Sequence, residues 1–257
     1  LSRLNLPILI DEVQKAPDLF DAIKLSVDRE KRPGKFLITG STSFSSRIGI
    51  RESLTGRIGL LHLGPLAVAE LHNLGFQPVK SLAHLAQEKK PRVSVELLGK
   101  CLDSGGMPVP AFTRSREQRD QYWRLWLETT LTRDLARFFR RNYDPDLAQG
   151  ILLEMGKILA EGELPTLKHF SYPAIKLRTY LQAMEDIFLV RRVPCHPRGT
   201  GKEVWLLMDS GLAAHLMPAR HGEGPTLALV RHLIWNEWHV QAECQGKRLQ
   251  REYYKSI

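Results

Sequence analysis

Two adjacent acids, Asp11 and Glu12, stand where the apolar run of "ILIDEVQKAP" ends. A second apolar run, "KFLITGS", ends in Thr39 and Ser41 and is followed by Thr42 and Ser43. A carboxylate at such a place can hold hydrated magnesium, which takes one or two protein carboxylates and completes its octahedron with waters and phosphate oxygens. A second carboxylate beside it can polarise an attacking water, and neighbouring hydroxyls can bind phosphate. The same acids also suit the first turn of a helix, where unsatisfied N–H groups and the helix dipole favour negative charge. A short motif is a hypothesis until its structural context is known, so ten residues leave both readings open.

The elements that must position these groups read as follows. A strand covers about 6–11. A helix covers about 18–31, with Leu19, Phe20, Ile23 and Val27 near helical spacing, and "RPG" breaks it. A second strand covers 35–41, a polar, helix-compatible stretch about 44–54, and "GRIGLLHLGPL" at 56–66 reads as a third strand. Short, continuously apolar strands alternating with helices imply an α/β fold whose parallel sheet is covered on both faces. Ligands in such sheets collect at the carboxyl ends of strands. Both polar groups sit at such ends, which favours chemistry over capping.

Taken together, ILIDEVQKAP, FLITGSTS and ESLTGRIGLLHLGPLAVAEL resemble the prokaryotic AAA-type (AAA+) P-loop ATPases that carry a C-terminal module of unknown function. The resemblance makes ILIDE a Walker B strand, FLITGS a sensor-1 strand, and SLTGR the segment carrying an arginine. It implies that Asp11 orients Mg2+, that Glu12 polarises the attacking water, and that Thr39 or Ser41 senses the γ-phosphate of ATP. Arg57 is then the candidate for neutralising transition-state charge; its place at a strand start equally suits a structural salt bridge. One departure matters. A P-loop needs GxxxxGK[ST], whose backbone N–H groups and lysine cradle phosphate, and this sequence contains none; "GKEV" at 201–204 lacks both the spacing and the hydroxyl. The chain also begins on Leu1 and stops in "REYYKSI", which reads as an opening strand. The expectation is a fragment of an ATPase or a decayed copy, with ATP and Mg2+ as cofactors only when the P-loop is supplied.

Beyond the ATPase part (1–105), "SGGMPVPAF" reads as a hinge, and an amphipathic helix spans about 115–141 within a connecting segment (106–146). Tyr122, Leu125, Trp126, Leu131, Leu135 and Phe138 form its apolar stripe, and Arg133, Arg137, Arg140 and Arg141 share another face. That face is either solvated or contacts a phosphate or partner. Residues 147–193 read as three helical segments, "LAQGILLEMGKILAEG", "LPTLKHFS" and "YPAIKLRTYLQAMEDIFLVRRV", followed by a β-rich stretch, the pattern of a winged helix-turn-helix within a module over 147–218. The resemblance likewise implies a winged-helix-like module, with Tyr172, Lys176 and Arg178 outward as nucleic-acid contacts. DNA binding, partner binding or a non-functional remnant therefore stand as alternatives to ATP hydrolysis. In "VWLLMDSGLAAHLM", Asp209 and Ser210 are N-cap candidates. The segment 219–257 resembles the start of a restriction-nuclease-like α/β domain, with Glu237 on its first helix. His232 and His239 could share a helix face, but without a third ligand they are no metal site.

Bulk properties narrow the classes. No stretch approaches the roughly 18 apolar residues of a membrane helix, and the N-terminus does not read as a signal peptide. Three widely spaced cysteines form no disulfide or zinc framework and suit a reducing, cytoplasmic setting. The net charge of +9 is spread along the chain without a basic tail, so it supports nucleic-acid contact only weakly. A homo-oligomeric ring is the habit of AAA-type ATPases.

Overall fold

The computed structural model describes residues 7–43, 56–73, 94–139, 141–218 and 225–245. They form two compact units, Leu1–Leu61 with Asp186–Phe188, and His62–Glu185 with Leu189–Ile257.

In the first unit, β1 (Ile8–Ile10) pairs in parallel with β2 (Phe36–Ile38), in the register Ile8 opposite Phe36, Leu9 opposite Leu37 and Ile10 opposite Ile38. Helix α1 (Leu19–Arg29) connects them. Successive strand side chains alternate between faces, so Ile10, Phe36 and Ile38 meet the buried cluster of Val13, Phe20 and Ile23. The opposite face carries Leu9 and Leu37, which are 64% and 58% exposed. The expectation of a sheet covered on both faces therefore fails among the described residues.

The third strand expected over 56–66 is absent too: no residue there is in a strand, and Leu61 and Leu63 are 88% and 100% exposed. A strand needs a neighbour for its N–H and C=O groups, and an apolar run does not supply one. The helix-compatible stretch 44–54 lies outside the described residues.

The second unit is mainly helical. Its elements are α2 (Val68–Leu71), α3 (Val95–Ser104), α4 (Pro108–Phe112), α5 (Arg116–Thr129), α6 (Pro145–Ala160), α7 (Ala174–Asp186), β3 (Val190–Val193), β4 (Val204–Leu207), α8 (Ser210–Leu216) and α9 (Leu227–Cys244). The long helix expected over 115–141 does not run through. After Thr129 it widens into a π turn (Thr130–Asp134) and then tightens into a 3-10 turn (Leu135–Phe138). Leu125 is 55% exposed while Trp123, Leu131 and Leu135 are buried. A wide turn holds more residues than an α turn, so a strict 3.6-residue period misplaces the stripe. Arg133 and Arg137 both pair with Asp134, at 2.9 and 3.8 Å; Arg140 lies outside the described residues.

The core of this unit is built by α6, α7 and the β3–β4 hairpin. Asp144 caps α6 by accepting the Leu147 N–H at 3.1 Å, Pro145 takes the first helical position, and Ile151, Leu152, Met155 and Leu159 point inward. Leu177, Leu181 and Met184 of α7 and Leu206 and Leu207 of β4 complete it. The helix expected to run on to Val193 ends at Asp186, and Val190–Val193 is instead strand β3, because it finds an antiparallel partner in β4, with Val190 opposite Leu207 and Val193 opposite Val204. The Trp205 N–H donates to the Pro165 carbonyl at 2.8 Å, which fixes the chain ahead of the short 3-10 turn Leu167–His169.

Candidate functional site

The backbone brings the two sequence clusters together. The Thr39 N–H donates to Ile10 O at 2.9 Å and the Val13 N–H to Thr39 O at 3.1 Å, so the parallel pairing continues past both strand ends. Asp11 and Glu12 thus face Thr39. The Thr39 hydroxyl donates to the Asp11 carboxylate and accepts the Glu12 N–H at 3.4 Å. Glu12 sits at φ 53° and ψ 43°, the left-handed region that a non-glycine residue occupies at a cost of about 1–2 kcal/mol. That kink turns its side chain toward Ser41, whose hydroxyl donates to Oε2 at 3.4 Å.

Gln14 is the residue that sequence reasoning missed. It is 8% exposed, and its Nε2 donates to the Glu12 carboxylate and, at 3.0 Å, to the Ser41 hydroxyl. Its own Oε1 is buried without a hydrogen-bond partner, a state native structures seldom tolerate. Glutamine at this place reads in the sequence as ordinary polar filler, and only the turn after β1 aims it at Glu12. Lys15 stands 4.0 Å from the same carboxylate.

Arg57 belongs to another contact. Its Nε and Nη2 reach the two oxygens of Asp28, at the end of α1, at 2.6 and 3.1 Å. Hydrogen bonding to Arg57 holds the Asp28 carboxyl below its usual range. This is the structural salt bridge left open by the sequence. The outward set divides as well. Lys176 and Arg178 are exposed on α7, while Tyr172 is half-buried with its hydroxyl over Gly150 of α6.

Two sequence signatures meet in the second unit. Asp209 is 2% exposed and caps α8 as expected, accepting the N–H groups of Gly211 and Leu212 at 2.7 and 3.1 Å. It also accepts those of Gly106 and Met107 at 2.7 and 3.1 Å. Ser210 donates to Cys101 O at 3.0 Å. "SGGMP" is therefore a latch closed on "DSGLAA". Gly105 holds φ +68°, and a Cβ there would lie 1.9 Å from Asp209 Oδ1, so only glycine fits. Burial pushes the Asp209 carboxyl up, and its four backbone donors pull it back.

Glu237 lies on α9, a helix as expected, and caps α2. Its two carboxylate oxygens take the Val68 N–H at 3.0 and 3.1 Å. Burial raises its pKa, the charges of Glu70 and Asp209 raise it further, and the Val68 and Gln241 bonds oppose them. The strand expected at "REYYKSI" lies outside the described residues. Between the ordinary value of 4.5 and the raised one, the folded state holds a proton that the unfolded state has lost. Stability therefore falls as pH rises through that window. Urea midpoints taken from about pH 4 to about pH 8 should fall in the native chain relative to Glu237→Gln, which cannot titrate; parallel curves would refute the assignment.

His232 is fully buried, with neither ring nitrogen in a hydrogen bond of ordinary geometry. His239 pairs with Glu243 at 3.3 Å. No group of three or more His, Cys, Asp or Glu residues that could hold a metal occurs among the described residues. All three cysteines are free. No described helix is long and apolar enough to cross a membrane.

Comparison with known proteins gives two results. Residues 2–72 match a family described as an AAA domain, a stretch that contains Asp11, Glu12, Thr39, Ser41 and Arg57. Uncharacterized proteins of Mycobacterium bovis and Mycobacterium tuberculosis are each 29% identical over 198 residues, 75% of this chain. That match spans 39% of those relatives' own length. No solved structure matches.

Proposed function

We propose that the first unit carries the metal-and-water side of an AAA-type ATP-hydrolysing site, as part of a longer ATPase. The observation that carries this reading is the junction of Asp11 and Glu12 with Thr39 and Ser41 across a parallel strand pair. Capping alone leaves it unexplained, because neither Asp11 nor Glu12 accepts a helix N-terminal N–H group. The donors are all hard oxygens around an exposed carboxylate, which fits Mg2+. Bound there, the ion would screen phosphate charge and orient the leaving oxygens. Asp11 holds the metal side, oriented by the Thr39 hydroxyl. Glu12 is the base that polarises water, and Gln14 with Ser41 fixes its carboxylate. Thr39 and Ser41 are the hydroxyls available to a terminal phosphate. Arg57 reaches a nucleotide only by leaving Asp28. The phosphate-cradling GxxxxGK[ST] is not in this sequence, so affinity of these residues alone is weak and hydrolysis is impaired. Helices α6 and α7 with the β3–β4 hairpin form, in this reading, a winged-helix-like module.

The test is equilibrium binding of a fluorescent ATP analogue, with and without Mg2+. The expected result is weak binding that requires Mg2+, is lost in Asp11→Asn and survives in Glu12→Gln. Binding that ignores Mg2+, or that Asp11→Asn leaves unchanged, would overturn the proposal.

A further inference from the structure

The β3–β4 hairpin of the second unit carries a run of positive charge. Residues 190–203 carry Arg191, Arg192, Arg198 and Lys202 against a single acid, Glu203. Beside them runs α7, whose 13 residues make a rod of about 20 Å. Its buried side is Leu177, Tyr180, Leu181, Ala183 and Met184. That leaves Ile175, Lys176, Arg178 and Thr179 outward. Ile175, in the first turn, is 85% exposed. An isoleucine so placed gains nothing from folding, and it stands next to Lys176 on the outward face.

Helix and hairpin are fastened together. Glu203 pairs with Arg178 of α7 at 2.9 Å and with Arg192 of β3 at 3.8 Å. Glu185 of α7 accepts the Arg192 N–H at 2.9 Å. Arg178, Lys202 and Glu203 line an open depression of about 410 Å3. One carboxylate therefore neutralises two arginines at the rim of a depression that a third cation also lines.

We propose that the outward face of α7 and the hairpin bind duplex DNA. Lys176 and Ile175 enter the major groove, and Arg198 and Lys202 take flanking phosphates. Glu203 is a built-in competitor that occupies Arg178 and Arg192. A major groove about 12 Å wide admits one helix, and an apolar side chain there can meet a thymine methyl. The first turn of a groove-bound helix is the part that reaches base edges. Cations on a hairpin alongside can take backbone phosphates, which position the protein without reading sequence. This surface shares no residue with the proposed ATP site, so either reading can fail without the other.

The experiment is fluorescence anisotropy of the whole chain with a labelled duplex, repeated across a salt series. Each phosphate contact contributes about 0.9 to the slope of log K against log salt. Lys176→Ala should weaken binding and flatten the slope by about one, and Arg198→Ala with Lys202→Ala by about two. Glu203→Gln should tighten binding and steepen the slope by up to about two, because Arg178 and Arg192 become available. Arg124→Ala, a charge removed from the exposed surface of α5, should change neither. No duplex binding at low salt would overturn the proposal. So would equal losses in Arg124→Ala, weaker binding in Glu203→Gln, or displacement by polyglutamate as effective as by unlabelled duplex.

Discussion

Replacing Asp209 by alanine should destabilise the second unit by about 4 kcal/mol, a large share of an ordinary domain's stability. Its carboxylate satisfies four backbone N–H groups from two segments far apart in sequence, Gly106 and Met107 on one side and Gly211 and Leu212 on the other. Alanine leaves these donors facing a buried, dry place, and each unsatisfied donor costs about 1–3 kcal/mol, less what water or relaxation recovers. Loss of the α8 cap alone would cost only about 1 kcal/mol, so the magnitude separates a latch from a cap. Asp209→Asn should fall between, since the amide keeps one acceptor oxygen and brings two donors into a nest already full of N–H groups. The measurement is urea unfolding followed by tryptophan fluorescence. All five tryptophans lie in the second unit, and Trp123 and Trp205 are nearly fully buried. A loss near 1 kcal/mol for Asp209→Ala would show that the contact with Gly106 and Met107 contributes little.

Acid should loosen the same unit through His232. Burial pushes the pKa of this side chain down to about 4, against a smaller upward pull from the Leu207 carbonyl. In the unfolded chain the imidazole returns to about 6.5. Between those values the unfolded state binds a proton that the folded state refuses, so stability is fully present above about 6.5 and is lost as pH falls towards 4. The gap is worth about 3 kcal/mol. His232→Leu keeps an apolar side chain in the core and cannot titrate. Its urea midpoint should decline much less between about pH 7 and pH 4 than that of the native chain. The Glu237 effect runs the other way with pH, so a His232→Leu, Glu237→Gln double variant resolves the two. Equal acid sensitivity in native and His232→Leu chains would show that His232 is not the proton acceptor.

Both effects rest on contacts whose partners the sequence does not name. The DSG cap of α8 is legible because an N-cap residue and the N–H groups that it takes are neighbours. Its second role is not, since Gly106 lies 103 residues from Asp209 and nothing local distinguishes a hinge glycine from one pressed against a carboxylate. Gln14 is a different failure. It is two residues from Glu12, but only the left-handed backbone at Glu12 turns the pair toward one another. Arg57 could serve phosphate or a salt bridge by sequence, and in this structure it pairs with Asp28, a partner 29 residues away that the sequence does not name.

What the sequence determined by itself was set by short-range physics: the strands ahead of Asp11 and Thr39, α1, α6, most of α7, strand β4 and the cap of α8. Each follows from side-chain periodicity and terminal hydrogen bonding, which act over a few residues. Tertiary structure decided the rest. It withheld a strand from 56–66, because strand pairing needs a neighbour and apolar content does not provide one. It inserted the π turn that moved burial from Leu125 to Trp123, closed the glycine pair on Asp209, and fastened Arg178 to Glu203. Those outcomes depend on which distant groups meet in a place with little water, where an unpaired N–H or charge is expensive enough to select the partner.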